Sequence, residues 1–169
     1  MEAISEAMVE ETWMEVGRLA PQEAQNQVQA LWQRQPELMR FMMELTEDVS
    51  EGASELAFYL FFVVVRMFEK AYGSEVQEVT TDGIVESFEA NQELLEHLAG
   101  VQEKFLEKLA DPLQWDQPHV LRYVVEAMLE ASVAEEETPM FSEQEFGYLF
   151  LLLKTVIDSL HRASGGGLS

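Results

Sequence analysis

The chain has 169 residues, 47% of them hydrophobic, with 32 acidic against 10 basic side chains and a formal net charge of −22 at pH 7. That length and apolar content fit one compact domain and exclude disorder as the default reading. The charge repels phosphate backbones and anionic lipid headgroups, and the lack of any cysteine removes disulfides, thiolate metal sites and a cysteine nucleophile.

Every long segment reads as helix, with the five prolines placed as punctuation. A first helix is expected over about 3–17, ended by Gly17. A second starts at Pro21, in a first-turn position, and runs to about 34 with Ala24, Val28, Leu31 and Trp32 on its inner face. Pro36 opens a third, to about 48, with an apolar stripe of Leu38, Phe41, Met42, Leu45 and Val49. Ser50, Gly52 and Ser54 mark a break before a fourth helix over about 54–72, stopped by Gly73.

Thr80, Thr81 and Asp82 offer N-caps to a fifth helix over about 83–99. A shorter helix near 101–110 follows Gly100, and Pro118 opens another to about 134. Residues 135–139 read as a charged connector. Ser142 with Glu145 three residues on forms a capping box for a last helix to about 163, and 164–169 read as a flexible tail. The fourth and last helices are apolar nearly all round, so both belong at the centre.

An internal echo organises these elements. Residues 35–44 read QPELMRFMME and residues 117–126 read QPHVLRYVVE, while Tyr59-Leu60-Phe61 and Tyr148-Leu149-Phe150 each lead an aliphatic run. The pattern predicts an all-α fold of seven to eight helices in a single bundle, built from two tandemly duplicated units of about 1–79 and about 80–163 around a pseudo-twofold axis. The acidic excess is shared evenly between them, 15 acids with 5 bases against 17 with 5. Arg40 with Glu44 and Arg122 with Glu126 are the charged residues retained across the echo. Their i to i+4 spacing predicts a structural ion pair in each unit. Gln35 and Gln117 read only as the extended residues that precede a proline.

No motif carries chemistry. Glu89, Glu93 and His97 form one column on the fifth helix, but no Glu-x-x-His or His-Glu-x-x-His occurs, and the opposite face (Ile84, Phe88, Asn91, Leu95, Leu98) is the apolar one. The column is therefore read as a solvated face, and Asn91 as a buried polar residue needing a partner. His161 reads as a residue placed for the dipole at a helix end. The methionines read as core filling rather than as a partner groove.

No catalytic, cofactor-binding or metal residue is assigned, and no cofactor is expected. The longest uninterrupted apolar run, Leu56 to Val65, falls short of the ~20 residues a spanning helix needs, and the beginning of the chain lacks the features of a signal peptide. The expected function is a non-catalytic cytoplasmic helical interaction protein, an adaptor or an acidic inhibitor of a basic partner protein. Nucleic acid and membrane are not expected as partners, and a homo-oligomer is compatible with the sequence. The alternative is a ligand-binding protein or metal-dependent enzyme with a pocket at the junction of the two units.

Overall fold

The computed structural model describes residues 2–98, 115–133 and 142–166. Within them the fold is all-helical, with seven α-helices and no strand. These are α1 (Glu6–Gly17), α2 (Pro21–Arg34), α3 (Pro36–Leu45), α4 (Glu51–Tyr72), α5 (Thr81–Leu98), α6 (Pro118–Val133) and α7 (Glu143–His161). A 3-10 turn, Gly73–Glu75, follows α4, and a closing turn, Arg162–Gly166, follows α7. The expected helix near 101–110 and the connector 135–139 lie outside the described residues.

Local chemistry explains most of the boundaries. The hydroxyls of Ser5, Ser50, Thr80 and Ser142 accept hydrogen bonds from the backbone N–H of Met8, Ala53, Gly83 and Glu145, so four helices begin on hydroxyl caps. Pro21, Pro36 and Pro118 each occupy the first helical position. Glycine closes α4, because Gly73 adopts φ 55°, a left-handed conformation that a side chain would strain.

Three boundaries differ from the expected ones. α3 ends at Leu45, where the hydroxyl of Thr46 turns back to the carbonyl of Met42. The expected break over 50–54 is absent: Ser50 caps α4 and Gly52 lies inside its first turn. Residues 164–166, read as the start of a tail, instead turn the chain off the end of α7: Ser164 and Gly165 leave helical geometry, Gly165 at φ 98°, and the buried Ser164 donates to the carbonyl of Leu160.

α4 and α7 form the centre and lie against each other. Phe61, Phe68, Leu60 and Met67 of α4, with Leu149, Phe150, Leu152 and Leu153 of α7, are almost fully buried. Burying such side chains contributes about 1.5–3 kcal/mol each, so this seam dominates the stability. α1 lies along α4 and α5 along α7, while α6 bridges α1, α4 and α7. The rings of Phe41 on α3 and Phe88 on α5 meet in a T-shaped contact, and the hydroxyl of Tyr148 donates to the carbonyl of Leu45 at the end of α3.

α2 is the outlier. Its inner face is narrower than its sequence suggests, because Leu31 is buried while Val28 and Trp32 are exposed and Gln27 turns inward. The helix contacts mainly α3, so half of its apolar stripe has no neighbour to cover it. Among the methionines, Met39, Met42 and Met67 fill the core as expected, whereas Met43 is exposed. No helix among the described residues is long and apolar enough to cross a membrane.

Candidate functional site

Polar chemistry inside the molecule gathers along one face of α7. Lys154, Asp158 and His161 are spaced i, i+4 and i+7, which places them on a common side of the helix. The Lys154 Nζ lies 2.7 Å from the Asp158 Oδ2 and 5.1 Å from the centroid of the Trp115 ring. Lys154 is only 8% exposed, so carboxylate and ring face together replace the water that an ammonium would otherwise keep. Asn91 crosses from α5 to donate to the same Asp158 oxygen at 3.0 Å and to the Thr155 hydroxyl at 3.4 Å. The buried Asn91 thus has its partners, and they fix α5 against α7.

Gln117 joins this cluster to the amino-terminal segment. It is 2% exposed, and its Oε1 accepts from the N–H of Ile4 at 2.9 Å. Its Nε2 faces the Tyr72 hydroxyl at 2.8 Å and the His161 Nδ1 at 3.1 Å. Because the oxygen is committed to Ile4, the amide must donate at its other end, and His161 Nδ1 is the acceptor. The Nε2 of His161 lies 4.0 Å from Asp116, too far for a hydrogen bond. Tyr72 also donates to the carbonyl of Glu2, and burial raises its pKa above the ordinary phenol value.

Beside this network lies a cavity of about 160 Å³, walled by Trp115, Leu121 and Ile157 and by the polar groups of Asp116, Gln117, Lys154 and Asp158. All of these residues come from the second half of the chain, not from a junction of its two halves. The space matches a ligand of about benzene size. Most of its polar lining is already committed, Lys154 to Asp158 and Trp115 and Gln117 to three partners, while Asp116 is exposed to solvent. The arrangement can position a tyrosine and a histidine, but it presents no activated nucleophile.

A second concavity is external, between α1 and α6. Trp13 and Tyr123 form its apolar part, and Glu6, Glu10 and Glu126 surround them, with His119 and Arg122 on one side. Trp13 is 41% exposed. Tyr123 is half-buried, and burial, then the neighbouring phenol of Tyr59 on α4, pushes its pKa well above the ordinary value.

The residues expected from sequence are distributed differently. Arg122 and Glu126 meet at 3.0 Å, both largely exposed. Arg40 does not choose Glu44: its guanidinium lies 3.3 Å from Glu37, one turn earlier. A basic residue before an acidic one is the weaker order along a helix, and Glu37 is also held in place by the Thr81 hydroxyl. Glu89 and Glu93 are exposed as expected, while the side chain of His97 lies outside the described residues. His161, read as a dipole residue, is instead part of the Gln117 cluster.

Sequence reading missed both glutamines. Gln35 is as buried as Gln117; its Oε1 accepts from the N–H of Val79 at 2.8 Å and its Nε2 donates to the carbonyl of Gln77 at 2.9 Å. The available signal was the recurrence of Gln before Pro at the head of both echoed segments. Among the described residues no group of three or more His, Asp or Glu side chains is placed to hold a metal ion.

No protein-family model matches the chain, and no curated protein or solved structure shows significant similarity to it.

Proposed function

We propose that this is a non-catalytic helical interaction protein that covers a basic partner protein, as an adaptor or inhibitor. The observation that carries this reading is how the fold uses its cations. Among the described residues, seven of the eight Lys and Arg side chains are engaged in ion pairs. The acids outnumber them threefold, so the surface offers negative charge almost everywhere and little positive charge in return. Such a field accelerates encounter with a basic surface and disfavours nucleic acid. Affinity capture at about 50 mM and about 500 mM salt tests the reading, since screening shortens the reach of the field severalfold. Recovery of one basic protein, lost at the higher salt, is expected; capture indifferent to salt overturns it.

A second reading, a carrier of a small ligand, is favoured by the cavity beside Lys154. A metal-dependent enzyme would require stoichiometric metal in the purified protein, which elemental analysis measures directly.

We further infer that the chain arose by duplication of one helical unit. Its support is the matched behaviour of two glutamines. Gln35, at the head of α3, binds the backbone just before α5; Gln117, at the head of α6, binds the backbone just before α1. Each acceptor serves the residue that precedes a hydroxyl N-cap, Val79 before Thr80 and Ile4 before Ser5. The helix neighbours correspond as well: α1 on α4 and α5 on α7, α6 with α4 and α3 with α7. Tyr59 and Tyr148 do not correspond, since the first is exposed and the second is tied to Leu45. Separately expressed Gln117→Leu and Gln35→Leu variants with equal losses of stability agree with the duplication; a loss confined to one of them opposes it.

A further inference from the structure

We propose that the face joining α1, α4 and α6 is where the partner docks, and that it takes an arginine-bearing protein segment on the aromatic trio Trp13, Tyr59 and Tyr123. This rests on the reading that the protein covers a basic partner, and it names the surface used.

Trp13 of α1 and Tyr123 of α6 line one groove, and Tyr59 is exposed on α4, the helix that packs against both, with its phenol neighbouring that of Tyr123. Trp13 and Tyr59 are 41% and 44% exposed, so both rings are open to a partner. Exposed Trp and Tyr are the side chains that most often anchor a protein interface.

The charge around the rings selects the occupant. Glu6 and Glu10, one turn apart on α1, and Glu126 on α6 line the groove with the rings, and all three are exposed. Against these three carboxylates the groove holds one arginine, Arg122, already paired with Glu126. His119 is half-buried at the same groove. A guanidinium stacks on aromatic faces while its N–H groups reach carboxylates in a fork, a combination an ammonium satisfies less well. Rings at the centre with acids around them therefore match arginine better than lysine or a purely apolar chain.

The test uses the full chain with fluorescently labelled ten-residue arginine and lysine peptides, binding read by anisotropy. The arginine peptide is expected to bind more tightly than the lysine peptide, and Trp13→Ala and Tyr59→Ala each to weaken it about tenfold. Tyr59→Ala removes a ring that is 44% exposed, so its melting temperature should fall only slightly, and melting curves recorded for each variant separate a loss of binding from unfolding. Glu6→Gln/Glu10→Gln and Glu89→Gln/Glu93→Gln remove equal charge from this face and from α5; the first pair should weaken binding by a clearly larger factor. If the arginine peptide binds in a salt-dependent way but all variants bind alike, this face is overturned while the basic-partner reading stands. If neither peptide binds at low salt, both fall. Binding that is lost in Trp13→Ala but indifferent to salt would mean an apolar occupant and overturn the choice of arginine.

Discussion

Gln35 and Gln117, 82 positions apart, hold complementary places in the fold: each is buried ahead of a proline-led helix, and each accepts a backbone hydrogen bond from the segment that leads into a helix of the other half of the chain. A buried amide in that role fixes where two segments meet, because the N–H of Ile4 or Val79 has no water to turn to once its partner is removed.

Replacing Gln117 by leucine should therefore destabilise the protein by about 2 kcal/mol, the usual cost of stranding a buried donor. The loss would include the contacts to Tyr72 and His161. Urea unfolding monitored by circular dichroism measures it, and Gln35→Leu should give a loss of the same order.

Glu145 joins two helix beginnings. Its Oε1 accepts from the N–H of Ser142 at the head of α7, and its Oε2 from the N–H of Ser50 at the head of α4. The Ser50 backbone donor, with a smaller contribution from Ser142, holds this carboxyl below its ordinary pKa of 4.5. A lowered folded-state pKa means that the stabilisation is complete above the ordinary value and fades as the pH falls through the depressed one. Glu145→Gln should accordingly lower the melting temperature near neutrality and bring it towards that of the parent in acid. Melting curves from about pH 7 to about pH 3 span that window.

Lys154 and Asp158 should respond unequally to substitution. Removing the carboxylate with Asp158→Ala leaves a buried ammonium on the Trp115 ring alone and deprives Asn91 of an acceptor, at an expected cost of about 2 kcal/mol or more. Lys154→Met keeps the volume and removes the charge, leaving Asp158 with Asn91 and a measure of solvent, so its cost should stay below about 1 kcal/mol. Equilibrium unfolding of the two variants shows whether the order holds.

Self-repulsion sets the response to salt. Ion pairs such as Arg122 with Glu126 are exposed and individually weak, whereas the excess of acids acts over the whole surface. Added sodium chloride should raise the melting temperature, as calorimetry can determine. A falling response would mean that the pairs outweigh the repulsion.

The helical class, the central seam and the caps at Thr80 and Ser142 were legible in sequence because each has a local signature, whereas Ser5 and Ser50 were not read as caps. The all-round apolar runs of α4 and α7 pointed to the centre, and Ser142 with Glu145 announced its capping box. What escaped depends on distant partners. Nothing near Gln117 reveals that Ile4, 113 residues away, needs an acceptor. Val28 and Trp32 share a stripe with Leu31, yet only the placement of α2 at the rim decides that they face solvent. Arg40 had two carboxylates within helical reach, and the choice of Glu37 reflects the anchoring of that side chain by Thr81 on another helix.

The clamp on Ile4 has a consequence for vectorial synthesis. A ribosome releases the stretch around residue 4 long before it makes residue 117, so the N–H of Ile4 waits for its acceptor after the first helices have been made. Nascent chains halted short of Gln117 would leave that stretch open to proteases, and chains extended through α6 would shield it.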